Sequence, residues 1–382
     1  MGSGLFQAQC TRRRVLRGLG RGMLGSAAFL GERGLGFLGR LCARDSGGRF
    51  DGESGGPRRG ALGPPPVATT RNSAGAANHG GWTLLHYAGR DYLPLREIGA
   101  FYNLGPLERS QGQFRISLGN TALRGTTDSQ EFFISHLKFI LSYPIRELEG
   151  ELCMSRMDLV KLVDPVLRPG KIIAPKRVDT IVLDPGHGGS DAGAGGRTGE
   201  EKVWTLDVAL RAREQFLGAG YQVHMTRVRD EFVSLEDRVR LANQFDRALL
   251  ISVHFNSSGK GSGVETYTLA PRGVPSMAAD GPLVTDLVEC PGNARDAENM
   301  ALATAMHAAV VARSKLPDRG IKRARFLVIR EALVPSVLVE GGFLSNPEEL
   351  RQIASPRYRQ EMALGMVEAV RNYRRAVTPD SG

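Results

Sequence analysis

The stretch Thr180-Ile-Val-Leu-Asp-Pro-Gly-His-Gly-Gly189 joins a short apolar run to a glycine-rich turn that carries a histidine. Two further apolar runs, at residues 247–253 and 336–339, lead in the same way into His254 and Glu340. Short runs rich in leucine and β-branched residues are typical of buried strands in a largely parallel sheet. Ligands bind at the carboxyl ends of such strands. The pattern therefore predicts that two imidazoles and a carboxylate converge on one point, as in a metal site.

Strand-like runs alternate with helical patterns through residues 176–375. One helix is predicted to begin at Glu201 and end at Gly218, and the capping box of Ser234 and Asp237 predicts the start of the next. This alternation predicts an α/β fold with a six-stranded, mostly parallel sheet and helices on both faces. The six runs lie near residues 179–184, 221–226, 248–253, 263–269, 325–330 and 336–340. The helical side chains predicted to face the core are Val203, Leu206, Leu210, Leu217, Leu235, Val239 and Ala242.

The net charge of +10 is unevenly distributed along the 382 residues. Residues 1–72 hold twelve arginines and only four acidic residues, a balance of +8 that leaves about +2 for the remainder. Because the remainder is nearly neutral, nucleic acid is excluded as its main partner. No apolar run approaches the roughly 20 residues of a transmembrane helix, so we expect no transmembrane segment.

The four cysteines are widely separated and form no C-x-x-C pair. They therefore give no zinc-finger or redox motif. A bridge between two of them needs a specific geometry that spacing cannot supply, so we expect Cys153 and Cys290 to stay free. The other two are Cys10 and Cys42.

Residues 1–80 are rich in Gly, Arg, Pro and Ser and are predicted to be a disordered linker, because they cannot bury enough apolar surface to fold. Within them, Thr11-Arg-Arg-Arg-Val-Leu-Arg17 resembles a twin-arginine export signal, followed by an apolar stretch at residues 18–31. Arg21 interrupts that stretch and counts against a signal, and the alternative is an arginine-rich tail or an upstream extension of a chain that starts at Met23.

A series of short blocks follows in fixed order along the carboxyl-terminal half of the chain. The blocks are Ile181-Val-Leu-Asp-Pro-Gly-His-Gly-Gly-Ser-Asp-Ala-Gly193, Glu201-Lys202, Thr226-Arg-Val-Arg-Asp230 with Leu235, Arg238 and Ala242-Asn243, Ser252-Val-His-Phe-Asn256, Asp318-Arg-Gly320 and Val339-Glu-Gly-Gly-Phe-Leu-Ser-Asn346. In this order they resemble the zinc-dependent N-acetylmuramoyl-L-alanine amidases of the type 3 family. The resemblance implies a catalytic domain over residues 176–375 that hydrolyses the amide between N-acetylmuramic acid and L-alanine in peptidoglycan, for wall remodelling or daughter-cell separation.

A single catalytic zinc is expected to be held by His187, Glu201 and His254. Such an ion keeps three protein ligands and leaves a fourth position for water, whose pKa it can lower to about 7. Glu200 is an alternative ligand because it is adjacent, but the Glu-Lys pairing of the family favours Glu201.

Hydrolysis of an amide also needs a group that takes a proton from water and gives one to the leaving amine. We assign both tasks to Glu340, with a partner that orients a ligand histidine as the alternative role. Asn256 is a candidate substrate contact, although a turn-forming asparagine is equally consistent with its position. His224 and His307 are expected to be structural.

Residues 81–170 are predicted to form a small α+β accessory domain. Residues 91–102 and 152–163 repeat one arrangement, a short strand that runs into a helix, and the pair resembles the small repeat domain named after the amino-terminal part of copper amine oxidases. We expect a wall-binding or positioning role, with a simple spacer as the alternative. The resemblance implies no copper, because no ligand-like spacing relates His79, His86 and His136.

Residues 270–298 form an unusually long connection with several prolines. Connections beyond about 12–15 residues are commonly functional or mobile. One hypothesis is that this segment covers the zinc cleft and gates access, and the alternative is a surface loop.

Two other functions remain open from the sequence: a zinc hydrolase that acts on a different peptidoglycan amide, and a catalytically silent wall-binding protein. The retained ligands and Glu340 favour an enzyme. The expected partner is peptidoglycan and the expected location is the cell envelope, the periplasm or the medium, with any activating protein unspecified.

Overall fold

The computed structural model describes residues 77–79, 81–196, 199–279 and 281–378. The predicted export signal and nearly all of the predicted linker lie outside the described residues. The strands are β1 (Ala77–His79), β2 (Trp82–Tyr87), β3 (Arg90–Pro94), β4 (Glu108–Ser110), β5 (Gln113–Leu118), β6 (Thr121–Thr126), β7 (Glu131–Ile134), β8 (Leu137–Ile140), β9 (Arg146–Leu148), β10 (Glu151–Ser155), β11 (Thr180–Pro185), β12 (Gly195–Gly196), β13 (Gly199–Glu200), β14 (Gln222–Met225), β15 (Ala248–Asn256), β16 (Val264–Leu269), β17 (Asp318–Ala324) and β18 (Ser336–Phe343).

The helices show no candidate for a membrane span within the described ranges, because none is both long and apolar enough. Short 3₁₀ turns occupy Pro169–Lys171, Val284–Leu287 and Pro291–Arg295, and one π-helical turn occupies Leu159–Val163. The α-helices are α1 (Leu95–Phe101), α2 (Arg156–Asp158), α3 (Asp164–Leu167), α4 (Glu201–Gly218), α5 (Leu235–Ala242), α6 (Asp296–Ser314), α7 (Leu327–Arg330), α8 (Pro347–Ile353) and α9 (Pro356–Val377).

A large mixed sheet organises the described chain, with the strand order β14-β11-β15-β18-β16-β17-β8-β7-β6-β5-β4. The first four strands are mutually parallel, β16 runs antiparallel to β18 and parallel to β17, and β8 to β4 form an antiparallel meander. The α/β class is therefore confirmed. The predicted six-stranded, mostly parallel sheet is corrected to eleven strands of mixed direction, because the meander of the middle region extends the same sheet.

Helices cover both faces of the parallel part of this sheet. On one face, Ile181 and Leu183 pack into a core with α4, α6 and α9. On the other face, Val182 and Leu250 pack against α5 and the segment that follows α7. Alternate residues of β11 are thus buried on opposite sides, which is why the strand sequence is apolar throughout.

The strand predicted near residues 325–330 is wrong. The strand in this part of the chain is β17, Asp318–Ala324, and the apolar run after it forms the short helix α7, with Val328 and Ile329 buried. The sequence did not indicate β17 as a strand because it contains several charged residues. Two of these, Arg319 and Lys322, pair with the buried carboxylate of Glu265 on the neighbouring strand β16.

The predicted inner faces of two helices need correction, although α4 ends at Gly218 and α5 starts after Ser234, as expected. In α4, Val203 is 48% exposed and Leu217 is 42% exposed, and in α5 Leu235 is 50% exposed. The core side of α4 is formed instead by Val208, Ala209, Ala212 and Phe216. Two apolar stripes run along α4, so the sequence alone did not decide which of them faces the core.

The middle region contains the two predicted strand-helix units, β3 with α1 and β10 with α2. β3 and β10 belong to a second sheet of order β1-β2-β3-β10-β9, whereas β8 joins the large sheet where Phe139 pairs with Ile321 of β17. We call the polar contacts beside this pairing the junction. They are Asp318 Oδ2 to Lys138 N at 2.9 Å and Arg323 Nη1 to Asp158 Oδ1 at 3.2 Å.

The junction crosses the predicted boundary near residue 170. All described residues lie within one compact unit. The division into an accessory and a catalytic domain therefore stays a prediction. Within the part of the chain that the structure describes, Cys153 and Cys290 are both free.

Candidate active site

Three parallel strands place the predicted residues at one edge of the sheet. β11 and β15 pair in register, so that Pro185 lies beside Val253 and both strands end at the same level. β15 and β18 pair so that His254 lies directly beside Glu340. His187 follows the end of β11 by two residues. The convergence that the strand pattern predicts is therefore present.

The side chains of His187, Glu201 and His254 form a compact donor set. His187 Nε2 lies 3.1 Å from Glu201 Oε2, and His254 Nδ1 lies 3.0 Å from Glu201 Oε1. One potential ligand atom from each of the three residues lies within 4.8 Å of the others. The imidazoles are partly exposed, at 23% and 19%, whereas the carboxylate is 5% exposed.

Glu201, not Glu200, points into the site. Its carboxylate accepts hydrogen bonds from the backbone N–H groups of Ala194 and Phe255, at 2.8 and 3.1 Å. Burial raises the pKa of Glu201, but hydrogen bonds from the two histidines outweigh burial and lower this pKa well below its usual range. The Glu200 side chain is half exposed and pairs with Lys202.

The loop that carries His187 is held in an unusual conformation. His187 has φ +61°, a left-handed backbone that is uncommon outside glycine. Its Nδ1 lies 2.9 Å from Asp191 Oδ2, which fixes the ring and directs Nε2 towards Glu201. A Cβ added to Gly186 would lie 2.2 Å from the His254 ring, so only glycine fits there.

Two buried arginines donate hydrogen bonds to backbone carbonyl groups of this loop. Arg238 Nη1 donates to Asp184 Oδ1 at 2.7 Å and its Nη2 donates to the carbonyl of His187 at 2.8 Å. Arg227 Nη2 donates to the carbonyl of Gly186 at 2.8 Å. Because buried carbonyl groups need partners, these guanidinium groups stabilise the strained turn.

Glu340 lies beside the donor set and has no hydrogen-bonding partner among the described residues. Its Oε2 is buried and makes no hydrogen bond within the described residues. Burial is the main cause that raises the pKa of Glu340 to about 7. The carboxylates of Glu201 and Glu265 add to the rise and the imidazole of His254 opposes it. A carboxyl group with a pKa near neutrality can both accept and donate a proton at that pH.

A second buried carboxylate, Glu265, extends the row of polar side chains. It lies opposite Glu340 on the antiparallel strand β16 and is 2% exposed. Asn256 Nδ2 donates to Glu265 Oε2 at 3.1 Å. Asn256 thus has a protein partner at the edge of the site, and its predicted contact with substrate stays a prediction.

Several residues of the site were not predicted from the sequence. Asp191 is four residues after His187, a spacing that could have indicated a partner for the imidazole. Glu265 was not predicted because it lies near the amino-terminal end of its strand. Since β16 runs antiparallel to β18, this end lies at the site, where the parallel strands have their carboxyl ends. The cationic partners of Glu265 are Arg319 and Lys322.

The two histidines expected to be structural lie outside the donor set. His224 stacks on Phe245, with ring centroids 4.2 Å apart. His307 is fully buried, and its nitrogens contact Thr266 Oγ1 at 2.9 Å and Asp318 Oδ1 at 2.8 Å.

The gating hypothesis for residues 270–298 is wrong. Because β16 runs antiparallel to β18, the chain leaves β16 beyond Leu269, at the end of the sheet opposite the site. Within the described part of this segment, Met277 N contacts the carbonyl of Arg323 at 2.9 Å, near the carboxyl end of β17. Just after the segment, Asn299 Oδ1 accepts the backbone N–H of Ser336 at 2.8 Å. The connection therefore packs far from the donor set.

The fold and the site together define the class: an α/β protein with a hydrolase-type site, in which a His-Glu-His donor set lies beside a glutamate of raised pKa. Residues 181–372 match the family model described as N-acetylmuramoyl-L-alanine amidase. The chain belongs to the N-acetylmuramoyl-L-alanine amidase family. The predicted family and enzyme class are therefore confirmed.

Curated relatives agree with this assignment. The chain is 32% identical over 187 residues to the sporulation-specific N-acetylmuramoyl-L-alanine amidase of Bacillus subtilis, covering 48% of this chain and 64% of that protein. It is 32% identical over 222 residues to the N-acetylmuramoyl-L-alanine amidase AmiA of Escherichia coli, covering 52% of this chain and 76% of that protein. Among solved structures, the catalytic domain of CwlV from Bacillus (Paenibacillus) polymyxa var. colistinus is 30% identical, with a TM-score of 0.43 over 51% of this chain and 98% of that one.

Proposed function

We propose that the chain hydrolyses the amide between the lactyl group of N-acetylmuramic acid and the L-alanine of the stem peptide in peptidoglycan, with one catalytic zinc. The observation that carries the proposal is the position of Glu340, unpaired and beside a three-residue donor set, in a chain of this family.

The donor set fits a catalytic zinc. Two imidazole nitrogens and one carboxylate oxygen are a ligand combination that catalytic zinc sites use. His187, Glu201 and His254 supply this combination, and Asp191 contacts the second nitrogen of His187, as partners of zinc-bound histidines commonly do. When bound there, zinc would polarise the amide carbonyl and make a water molecule more acidic.

Glu340 carries out the proton transfers. In its ionised form it takes a proton from the attacking water as the carbon–oxygen bond forms. It then gives this proton to the amide nitrogen as the carbon–nitrogen bond breaks, which releases the peptide as an amine.

The proposal is tested by mass spectrometry of purified wall after incubation with the full chain, with and without a chelator. We expect free stem peptides that begin with L-alanine, and their loss when the chelator is present. Release of a terminal D-alanine would instead indicate a carboxypeptidase, the other peptidoglycan amide hydrolase considered above. Bound zinc without any product would indicate a silent wall-binding protein.

The proposal also covers the location of the chain and the role of the middle region. The substrate is a wall polymer, so we place the chain in the envelope or outside the cell, with export through the twin-arginine signal near Arg13. We assign residues 81–170 a positioning role, because the junction connects them to β17, whose side chains reach the site.

A further inference from the structure

A row of polar side chains continues across the sheet beyond the proposed catalytic glutamate. His254 on β15 lies beside Glu340 on β18, and Glu340 lies opposite Glu265 on β16. Arg319 and Lys322, both on the next strand β17, reach back to Glu265. Four neighbouring strands therefore carry one continuous polar band that starts at the donor set.

Glu265 anchors the two cations at its end of the band. Arg319 Nε donates to Glu265 Oε1 at 2.6 Å, and Lys322 Nζ donates to the same oxygen. Burial raises the pKa of Glu265, but the hydrogen bonds from Lys322 and Arg319 outweigh it and lower this pKa. One negative charge thus holds two positive charges, which leaves an excess of one positive charge beside the site.

Arg319 has hydrogen-bond donors that no other described residue uses. In the described chain, Arg319 makes its only hydrogen bond through Nε, so both terminal nitrogens stay available, and its side chain is 38% exposed. Its guanidinium carbon lies 5.0 Å from the centroid of the buried Phe343 ring, which restricts its orientation. A planar guanidinium with two free nitrogens can bind a carboxylate in a bidentate manner.

The spacing suits an extended peptide. Adjacent strands lie about 4.8 Å apart, so the cationic groups at Glu265 are about one strand spacing from Glu340. An extended peptide advances about 3.3–3.6 Å per residue. A carboxylate one or two residues beyond the scissile amide therefore comes within reach of Arg319 and Lys322.

This inference rests on the proposed function, and we propose that Arg319 and Lys322 form a subsite for a carboxylate on the peptide side of the scissile amide. The sugar side offers no such anion, because the carboxyl group of the lactyl moiety is itself part of the amide. The subsite makes the enzyme selective for acidic peptides and orients the amide nitrogen towards Glu340.

The test compares two soluble muramoyl tripeptides, one with free carboxylates and one in which they are amidated. The wild-type chain is expected to favour the free acid by about tenfold or more in kcat/KM, the range of one charge-assisted hydrogen bond. Lys322→Met and Arg319→Gln, made singly so that Glu265 keeps one cationic partner, should each lose about tenfold on the free acid, mainly through KM. On the amidated substrate each should lose less than about twofold.

Two controls separate binding from folding. Lys322→Arg retains the charge and should restore selectivity for the free acid, and Arg213→Gln, on α4 and paired with Glu214, should have no effect. Zinc content and thermal unfolding are measured for every variant.

Equal losses on both substrates, or a wild-type chain that cleaves both equally well, would overturn the subsite while leaving the amidase function intact. Failure of the wild-type chain to cleave either substrate would instead reject the proposed function itself.

Discussion

The site and the junction use the same residue types in opposite ways. At the junction, the charges of Asp158 and Arg323 are almost completely buried and face each other, although Arg323 Nε and Nη2 make no hydrogen bond in the described chain, and nearby His307 has a partner at both nitrogens. At the site, the histidines are partly exposed, and Glu340 has a buried oxygen with no hydrogen bond in the described chain.

The difference shows that the partners of a side chain, and not its type, indicate its role. A buried charge that faces an opposite charge stabilises one arrangement, and removal of its counter-charge is costly. A buried carboxyl group without a cationic partner raises the free energy of the resting site and stays available for a ligand or substrate. The predictions below test this contrast, in order of decreasing effect.

The largest effect is expected for Glu340→Gln. Because Glu340 carries both proton transfers, kcat should fall by about 10²- to 10⁴-fold. Zinc content and unfolding temperature should stay close to those of the wild type, since Glu340 has no partner to lose. Turnover of a muramoyl peptide and elemental analysis are the measurements. Activity above a tenth of the wild-type value would mean that another group acts as the base.

For Asp158→Asn at the junction, we expect the opposite pattern, a loss of stability without a change in zinc binding. Arg323 would keep its buried charge and lose its partner, so the free energy of unfolding should fall by about 3–5 kcal/mol. Zinc affinity should not change at temperatures where the variant is folded. Urea unfolding measures the first and metal titration the second. Asp246→Asn, at a 99% exposed side chain, is the matched control and should change stability by less than about 0.5 kcal/mol. A variant as stable as the control would contradict the contrast.

A smaller effect is expected for Asp191→Asn. This carboxylate orients the His187 ring and does not itself belong to the donor set, so zinc affinity should fall by about 10- to 100-fold. Competition with a chelator of known affinity measures the change. Unchanged affinity would show that the backbone of the loop alone fixes His187.

The smallest effect concerns pH and the metal-free chain. The pKa of Glu340 rises from 4.5 to about 7 on folding, so folded Glu340 retains its proton between these values while the unfolded chain releases it. Stability should therefore fall as pH rises from about 4.5 to 7, by about 1–2 kcal/mol relative to Glu340→Gln. Urea unfolding of both chains in a chelator at pH 4.5 and pH 8 measures this difference. A constant difference between the two chains would contradict the raised pKa.

The sequence predicted the parts of the fold in which composition follows burial. β11, β15 and β18 are apolar because both faces of the sheet are covered, so their ends, and with them His187, His254 and Glu340, were predictable. Glu201 was chosen over Glu200 through the family resemblance. Its burial and backbone contacts agree with that choice.

The remaining features depend on tertiary pairing that no local pattern encodes. The charged residues of β17 are typical of a polar loop, so the sequence did not predict a strand there. These charges are paired with Glu265 and Asp158, which are distant in the sequence. Because β16 runs antiparallel to β18, Glu265 lies at the site although it is near the start of its strand, and the segment 270–298 leaves from the opposite end of the sheet. Local periodicity gives the side of a strand but not its direction in the sheet.

The central claim is that three side chains from distant parts of the chain hold one zinc ion. It is tested most directly by elemental analysis of the purified wild type, Glu201→Gln and Glu200→Gln. We predict about one zinc per chain in the wild type and in Glu200→Gln, with almost none in Glu201→Gln. An active wild type without metal, or equal zinc in Glu201→Gln and Glu200→Gln, would contradict it.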